Sequence, residues 1–257
     1  MNPTTEALIN SLAGTLRGWR GTQAFAPART QPVKLLQLYD MEASPYCRLV
    51  REVLTELDLD VMILPCPAGG TRFRPQAEKI GGKQQFPLLV DDNTGTVLYE
   101  SAAIIEYLGR TYQRRVRTPK GLARHLAVGS SFLASAMLWR VGGVIGMKAH
   151  AAKAPALPLE LYSFEASPYS KPVRARLCEL ELPYLLHNTG KAQWADMGPP
   201  AFRDKLFKAP KGTSRNRRWL EQHTGQVQVP YLIDPNTGTA LYESGAIIDY
   251  LNRSYAV

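Results

Sequence analysis

Cysteine is scarce in this chain. Cys47, Cys66 and Cys178 are too few and too scattered among 257 residues for a disulfide framework. No CxxC pair occurs, and the four histidines, His125, His150, His187 and His223, form no ligand set with cysteine at metal-binding spacing. No metal is expected, and the thiol usage predicts a reducing compartment: the cytoplasm, with an organelle stroma as the alternative. A long apolar run is also missing. The uninterrupted apolar-and-small stretch 126–139 has fourteen residues, against the ~20 that span a bilayer. Extending it through Arg140 costs about 2.5–3.5 kcal/mol near the membrane centre. Helices packed between or against the rest of the protein are therefore expected here. Membrane-surface contact is the second reading, and a span is not expected. The N-terminus lacks the pattern of a secretory signal, because Glu6 comes early and polar residues interrupt Leu8, Ile9, Leu12 and Leu16. Those positions suit a short amphipathic helix.

Acidic residues are outnumbered, and the formal charge is +9. The excess gathers in "RRVR" at 114–117 and "RDKLFKAPKGTSRNRR" at 203–218. Neither run interleaves aromatics for base stacking, and no zinc-finger, RNP-like or helix-turn-helix signature accompanies them. Nucleic acid is thus a disfavoured partner. The runs read first as solvated linker and helix faces, and second as surface for acidic ligands, headgroups or a protein partner.

What the chain does contain is itself, twice. "LYDMEASPYCRLVREVL" from Leu38 aligns without gaps with "LYSFEASPYSKPVRARL" from Leu161. "FPLLVDDNTGTVLYESAAIIEYLGRTY" from Phe86 aligns with "VPYLIDPNTGTALYESGAIIDYLNRSY" from Val229, with eighteen of 27 positions identical. The second copy has twenty more residues between its two matching parts. Two tandem copies of one small domain follow. The expected division is an N-terminal extension (1–32), domain one (33–112), a helical connector (113–157) and domain two (158–257).

Each copy spells β-α-β, a helix or loop, then β-β-α. "VKLLQLY" is a short buried strand. "SPYCRLVREVLTELD" opens a helix with Ser44 as cap and Pro45 in the first turn, and Leu49, Val50, Val53, Leu54 and Leu57 mark its apolar face. "DVMIL" is a second strand. "FPLLV" and "TVLYE" form a hairpin about "DDNTG". "SAAIIEYLGRTY" closes the unit as a helix capped by Ser101. A small mixed sheet flanked by helices buries both kinds of apolar stripe.

Three local features make the unit resemble the thioredoxin-like N-terminal domain of soluble glutathione transferases: the S-P-Y-C helix start, the proline opening the third strand, and "YES" opening the last helix. The implied fold is α/β, with two tandem thioredoxin-like domains joined by a helical connector. The all-helical second domain of an ordinary glutathione transferase is not expected from these residues. The resemblance implies that Ser44, with Ser167 as its counterpart, donates a hydrogen bond to the glutathione thiolate, whereas a plain capping role explains the same serines. Pro87 and Pro230 resemble the family's cis-proline, which places the backbone of Phe86 and of Val229 against the cysteinyl part of glutathione. Ser101 and Ser244 resemble the residue that receives the γ-glutamyl carboxylate at a helix start, and Glu100 and Glu243 the acidic neighbour that meets its ammonium. Tyr46 and Tyr169 flank the sulfur position or cover the helix start. Cys47 lacks a thiol partner inside its motif, so a two-thiol redox cycle is not expected there.

The resulting expectation is a protein that binds glutathione, or a related thiol peptide, as co-substrate or ligand. Weak or specialised transferase chemistry would rest on a serine-stabilised thiolate. The alternative is a non-catalytic thioredoxin-fold scaffold holding a protein partner through the connector or the basic surface.

Overall fold

A computed structural model describes residue 15, residues 18–112, 121, 126, 128–132, 139–140, 143–196 and 213–257. The expected N-terminal amphipathic helix, apart from residue 15, the connector residues 113–120, 122–125, 127, 133–138 and 141–142, and the basic run through 203–212 lie outside the described residues.

The first copy is built from β1 (Leu36–Asp40), α1 (Pro45–Glu56), β2 (Val61–Pro65), α2 (Arg74–Gly81), the hairpin β3 (Leu88–Asp91) and β4 (Thr96–Tyr99), and α3 (Ser101–Tyr112). A two-residue hairpin, β5 (Trp139–Arg140) with β6 (Gly143–Val144), precedes the second copy. That copy comprises β7 (Leu159–Ser163), α4 (Ser170–Glu179), β8 (Tyr184–Asn188), α5 (Arg215–Thr224), β9 (Tyr231–Asp234), β10 (Thr239–Tyr242) and α6 (Ser244–Tyr255).

Local chemistry explains most of these boundaries. The Ser44 hydroxyl accepts the Cys47 N–H at 3.3 Å and Pro45 stands where no donor is needed, so α1 starts there. The first strand begins at Leu36 rather than Val33, which is 98% exposed. The last helix of each copy starts at its serine instead of being capped by it. The preceding Glu100 and Glu243 hold φ of 66° and 68°, and their carbonyls accept the first helical N–H, from Ile104 and Ile247. Each hairpin is locked to its closing helix by one buried carboxylate. Asp91 accepts hydrogen bonds from Asn93, Tyr107 and Tyr112, and Asp234 accepts them from Asn236, Tyr250 and Tyr255.

The two copies do not form separate sheets. One eight-stranded sheet runs β10-β9-β7-β8-β2-β1-β3-β4, joined at the centre by antiparallel β2 and β8. The register is self-matching: Met62 faces Leu185, its own counterpart in the repeat, with Val61 facing Leu186 and Ile63 facing Tyr184. That is the pattern of a twofold-symmetric edge contact, made here within one chain. One apolar core runs through both copies beneath α1, α3, α4 and α6, from Leu36, Leu38 and Ile104 to Leu161, Leu232 and Ile247. The opposite face of the first copy has a smaller core of Tyr39, Leu64, Cys66, Phe73, Ala77, Leu88 and Val90.

Above the central strands the seam between the copies is ionic. Arg51 donates to Asp40 at 2.6 Å and to Glu165 of the other copy at 2.9 Å, while Arg174 reaches Glu42 and Glu165 in return. All five side chains are buried. Burial pushes Asp40 up to about 6 despite Arg51 beside it. For Glu165 burial pushes upward too, but Arg174, Arg51 and Arg48 outweigh it and hold the carboxyl down at about 2.

A further repeat crosses this seam. Gly18, Gly21 and Ala24 precede the first copy with the same spacing as Gly143, Gly146 and Ala149 before the second. Each of these leaders lies on the copy it does not precede. Ala24 donates to the Lys191 carbonyl at 2.9 Å, and Lys191 to that of Thr22 at 2.8 Å; Ala149 donates to Ala68, and Ala68 to Met147, in the matching way. Gly21 and Gly146 have φ of 74° and 78°, and a Cβ on Gly21 would stand 2.8 Å from Glu165 Cβ. Glycine is needed at both crossings.

Candidate functional site

Strand direction gathers the three sequence features of each copy at one end of its half-sheet. β3 runs against β1 and β4 against β3, so Tyr39, Leu88 and Tyr99 form one row. Beyond that row come the α1 start after β1, Phe86–Pro87 before β3, and Glu100–Ser101 after β4. In the second copy the row is Tyr162, Tyr231 and Tyr242, with Ser167, Val229–Pro230 and Glu243–Ser244 beyond it. Because β2 and β8 are antiparallel, the two clusters lie at opposite ends of the sheet. They are two sites rather than one shared cleft.

Both X–Pro bonds, Phe86–Pro87 and Val229–Pro230, are cis. Pro87 and Pro230 are buried, whereas Phe86 and Val229 are half-buried. Glu100 and Glu243 are exposed, and each accepts a hydrogen bond from a glutamine just ahead of the proline, Gln85 and Gln228. Ser101 is buried and Ser244 half-buried. Each serine is the first residue of a helix, where unpaired backbone N–H groups and the helix dipole favour a carboxylate.

The serines at the first helices are more enclosed than the sequence suggests. Ser44 is 5% exposed and its hydroxyl is engaged as the α1 cap. The Ser131 hydroxyl, from the connector's helical residues, donates to the Pro45 carbonyl at 2.8 Å and so covers this helix start. Ser167 is 2% exposed and accepts both the N–H and the hydroxyl of Ser170, and α4 begins at Ser170 rather than at Pro168. The tyrosines two positions further on are open: Tyr46 is 45% and Tyr169 56% exposed.

The thiols are not poised for reaction. Cys47, Cys66 and Cys178 are all buried and free. Burial pushes each thiol pKa up, and Asp40 adds to the effect at Cys47 and Cys66. No group of three His, Cys, Asp or Glu residues able to hold a metal occurs among the described residues.

The sequence reading missed one residue beside the first site. Arg74, first in α2, donates to the Pro67 carbonyl at 2.6 Å, and its guanidinium lies 4.9 Å from the centre of the Phe86 ring. Its only sequence signal is a basic residue opening a helix ahead of the Gln-Phe-Pro turn. Arg215, read as part of a solvated basic run, instead forks onto Asp60 of the first copy at 2.8 and 2.9 Å.

Comparison with known proteins agrees with the twice-repeated domain. The family described as "Glutathione S-transferase, N-terminal domain" matches residues 38–116 and 161–256, together more than half of the chain. No curated protein is matched. Among solved structures, two of Bombyx mori glutathione transferase BmGSTD1, one of them a complex with GTT, are 28% identical over 38% of this chain, with a TM-score of 0.31. The chain spans 45% of the length of those proteins. Leishmania TDR1, described as a unique trimeric glutathione transferase, is 13% identical over 88% of this chain and 68% of its own, with a TM-score of 0.29. The family match and the repeated strand order identify the chain as a member of the glutathione S-transferase N-terminal domain family that carries the domain twice.

Proposed function

We propose that the protein binds glutathione, or a closely related thiol peptide, at one or both ends of its sheet. The observation that carries this reading is the convergence, in both copies, of a cis-proline strand start, an exposed acidic residue held by glutamine, and a serine at a bare helix N-terminus. Ser101 and Ser244 receive the γ-glutamyl carboxylate, Glu100 and Glu243 its ammonium, and the backbone of Phe86 and Val229 the cysteinyl unit. In the first copy Arg74 adds a cation for the glycyl carboxylate, and Tyr46 flanks the sulfur. Ser44 and Ser167 stabilise the thiolate only when their hydroxyls turn from capping to the ligand. No general base is needed for attack on an activated electrophile, because thiolate stabilisation and placement do the work.

The enclosure of Ser44 and Ser167 favours a second reading for part of this scheme: binding without transferase chemistry, in a module that holds a partner protein. Calorimetric titration of the reduced protein with glutathione, repeated on a Ser101→Ala/Ser244→Ala variant, tests the pocket. Saturable heat lost in the variant supports it, and its stoichiometry counts the working sites. No binding up to several millimolar rejects it. Absorbance of bound thiolate across a pH series then separates the two readings. A bound thiol that ionises well below the free one supports transferase chemistry, and an unshifted thiol supports binding alone.

A further inference from the structure

The copies are tied by two reciprocal arginine clamps, and the pair is not symmetric. In one, Arg72 of the first copy donates to the carbonyls of Leu180 and Glu181 at the α4–β8 turn. The Glu181 carboxylate accepts the N–H groups of Thr71 and Arg72, both at 3.0 Å, so this clamp closes on satisfied groups. In the other, Arg215 donates to the Asp58 carbonyl at the equivalent α1–β2 turn and forks onto Asp60. Asp58 is one methylene shorter than Glu181. Its Oδ1 is buried without a hydrogen-bond partner, and Oδ2 lies 4.0 Å from Arg215 Nε.

A histidine completes the second clamp. His187 of β8 places Nδ1 3.0 Å from Asp60 and Nε2 2.9 Å from Glu160 of β7. A neutral imidazole has one N–H and satisfies one of these carboxylates; the imidazolium satisfies both. The ring also ends a stack that reaches α5. His187 lies on Tyr162 at 4.3 Å, Tyr162 on Trp219 at 4.8 Å, and Trp219 on the exposed His223 at 4.2 Å. Asn216 of α5 donates to Asp60 as well.

We propose that the seating of α5 on the first copy takes up protons, with His187, Asp58, Asp60, Glu160 and Arg215 forming a catch that is shut in mild acid and loosens toward alkaline pH.

The direction follows from the groups around it. Burial opposes the His187 charge, but its bonds to Asp60 and Glu160 outweigh burial and raise its pKa. Its contribution is complete below the ordinary histidine value and fades as pH rises through the raised one. Burial pushes Asp58 up to about 7, with Asp60 adding to it and Arg215 and Arg218 opposing. The closed state therefore also favours protonated Asp58, an advantage lost between roughly pH 4 and 7. For Asp60 burial again opposes the charge, and His187 and Arg215 outweigh it, lowering the pKa so that Asp60 stays ionised throughout. Both titrations that matter act in the same sense. The last residue of α5, Thr224, is bound to Tyr242 of β10, and Gln228 to Glu243, so the catch bears on the second candidate site.

Hydrogen exchange of α5, corrected for the intrinsic effect of pH and referred to α2 in the same protein, tests the proposal. Each proton taken up on closure raises the opening constant up to about tenfold per pH unit. Protection of α5 should therefore fall at least about tenfold relative to α2 between pH 5.5 and 8.5, and an Asp58→Asn/His187→Gln variant should lose this difference. Identical pH profiles for α5 and α2, or a difference that survives the double substitution, would overturn it. Glu160→Gln, at a half-exposed side chain, guards against a variant that fails to fold. It should move the His187 titration, followed by NMR, to lower pH together with the loss of protection, and an unmoved midpoint overturns the catch.

Discussion

Replacing Arg51 with methionine removes the central cation of the seam while keeping a similar apolar stem. Asp40, Glu42 and Glu165 then share Arg174 and Arg48, and Asp40 loses both of its bonds, at 2.6 and 2.7 Å. Breaking one side of a buried ion pair costs roughly 3–5 kcal/mol. Asp40 supplies part of that cost and its pH dependence. Orphaned, it escapes by taking a proton, which against its native value of about 6 costs about 1.4 kcal/mol at pH 7, at about 1.36 per pH unit. That escape becomes easier in acid. Over two pH units a fully protonated Asp40 gives the variant about 2.7 kcal/mol, by linkage of one proton. The native protein gains about half as much, because its Asp40 already titrates at about 6. The penalty should therefore shrink from about 4 kcal/mol at pH 7 to about 2.7 at pH 5. Urea unfolding of both proteins at the two pH values measures it. A penalty below about 1 kcal/mol at pH 7, or one that grows on acidification, would refute the account of the seam.

Two further outcomes follow from the same geometry. Gly21→Ala meets a left-handed backbone and a 2.8 Å approach to Glu165 Cβ, and should cost about 2–4 kcal/mol, whereas Gly18→Ala, with nothing within 4 Å, should cost only the backbone share of about 1–2; equal melting temperatures for the two variants would show that the leader does not cross as described. The three buried thiols should react with Ellman's reagent at pH 8 only after unfolding, to a final count of three, and rapid stoichiometric labelling of the native protein would contradict their burial.

The repeat alone carried most of the fold, since two near-identical strings at two offsets leave little choice of topology. The strands and helices read from Leu38 and Phe86 onward stand close to where their periodicity put them. The joining of the copies was not legible, and the reason is chemical. A buried interface is usually sought as an apolar stripe, but the part of this one above the central strands is made of Arg51, Arg174, Glu42 and Glu165, charged residues that in sequence look solvated. The leaders escaped notice for a different reason. Their glycines repeat at a spacing of 125 residues, whereas the Ser-Pro-Tyr motifs repeat at 123, so an ungapped comparison passes over them. For the site, the motif residues come together as strand direction demands, but Ser131 bonds to the Pro45 carbonyl from 86 positions away, and no local pattern announces that contact.

The self-matching strand pair at the centre of the sheet has a last implication. In an assembly of two identical chains, any change on the symmetry axis arrives twice, so charge there can be added or removed only in even steps. Here the halves share one backbone, and each side of the axis can change alone. The seam uses that freedom: Asp40 faces the world of the first copy where Ser163 stands in the second, and Glu52 where Ala175 stands. Unequal neighbours give the otherwise equivalent Arg51 and Arg174 different surroundings, and one chain can keep such a difference on a pseudo-axis where two identical chains could not.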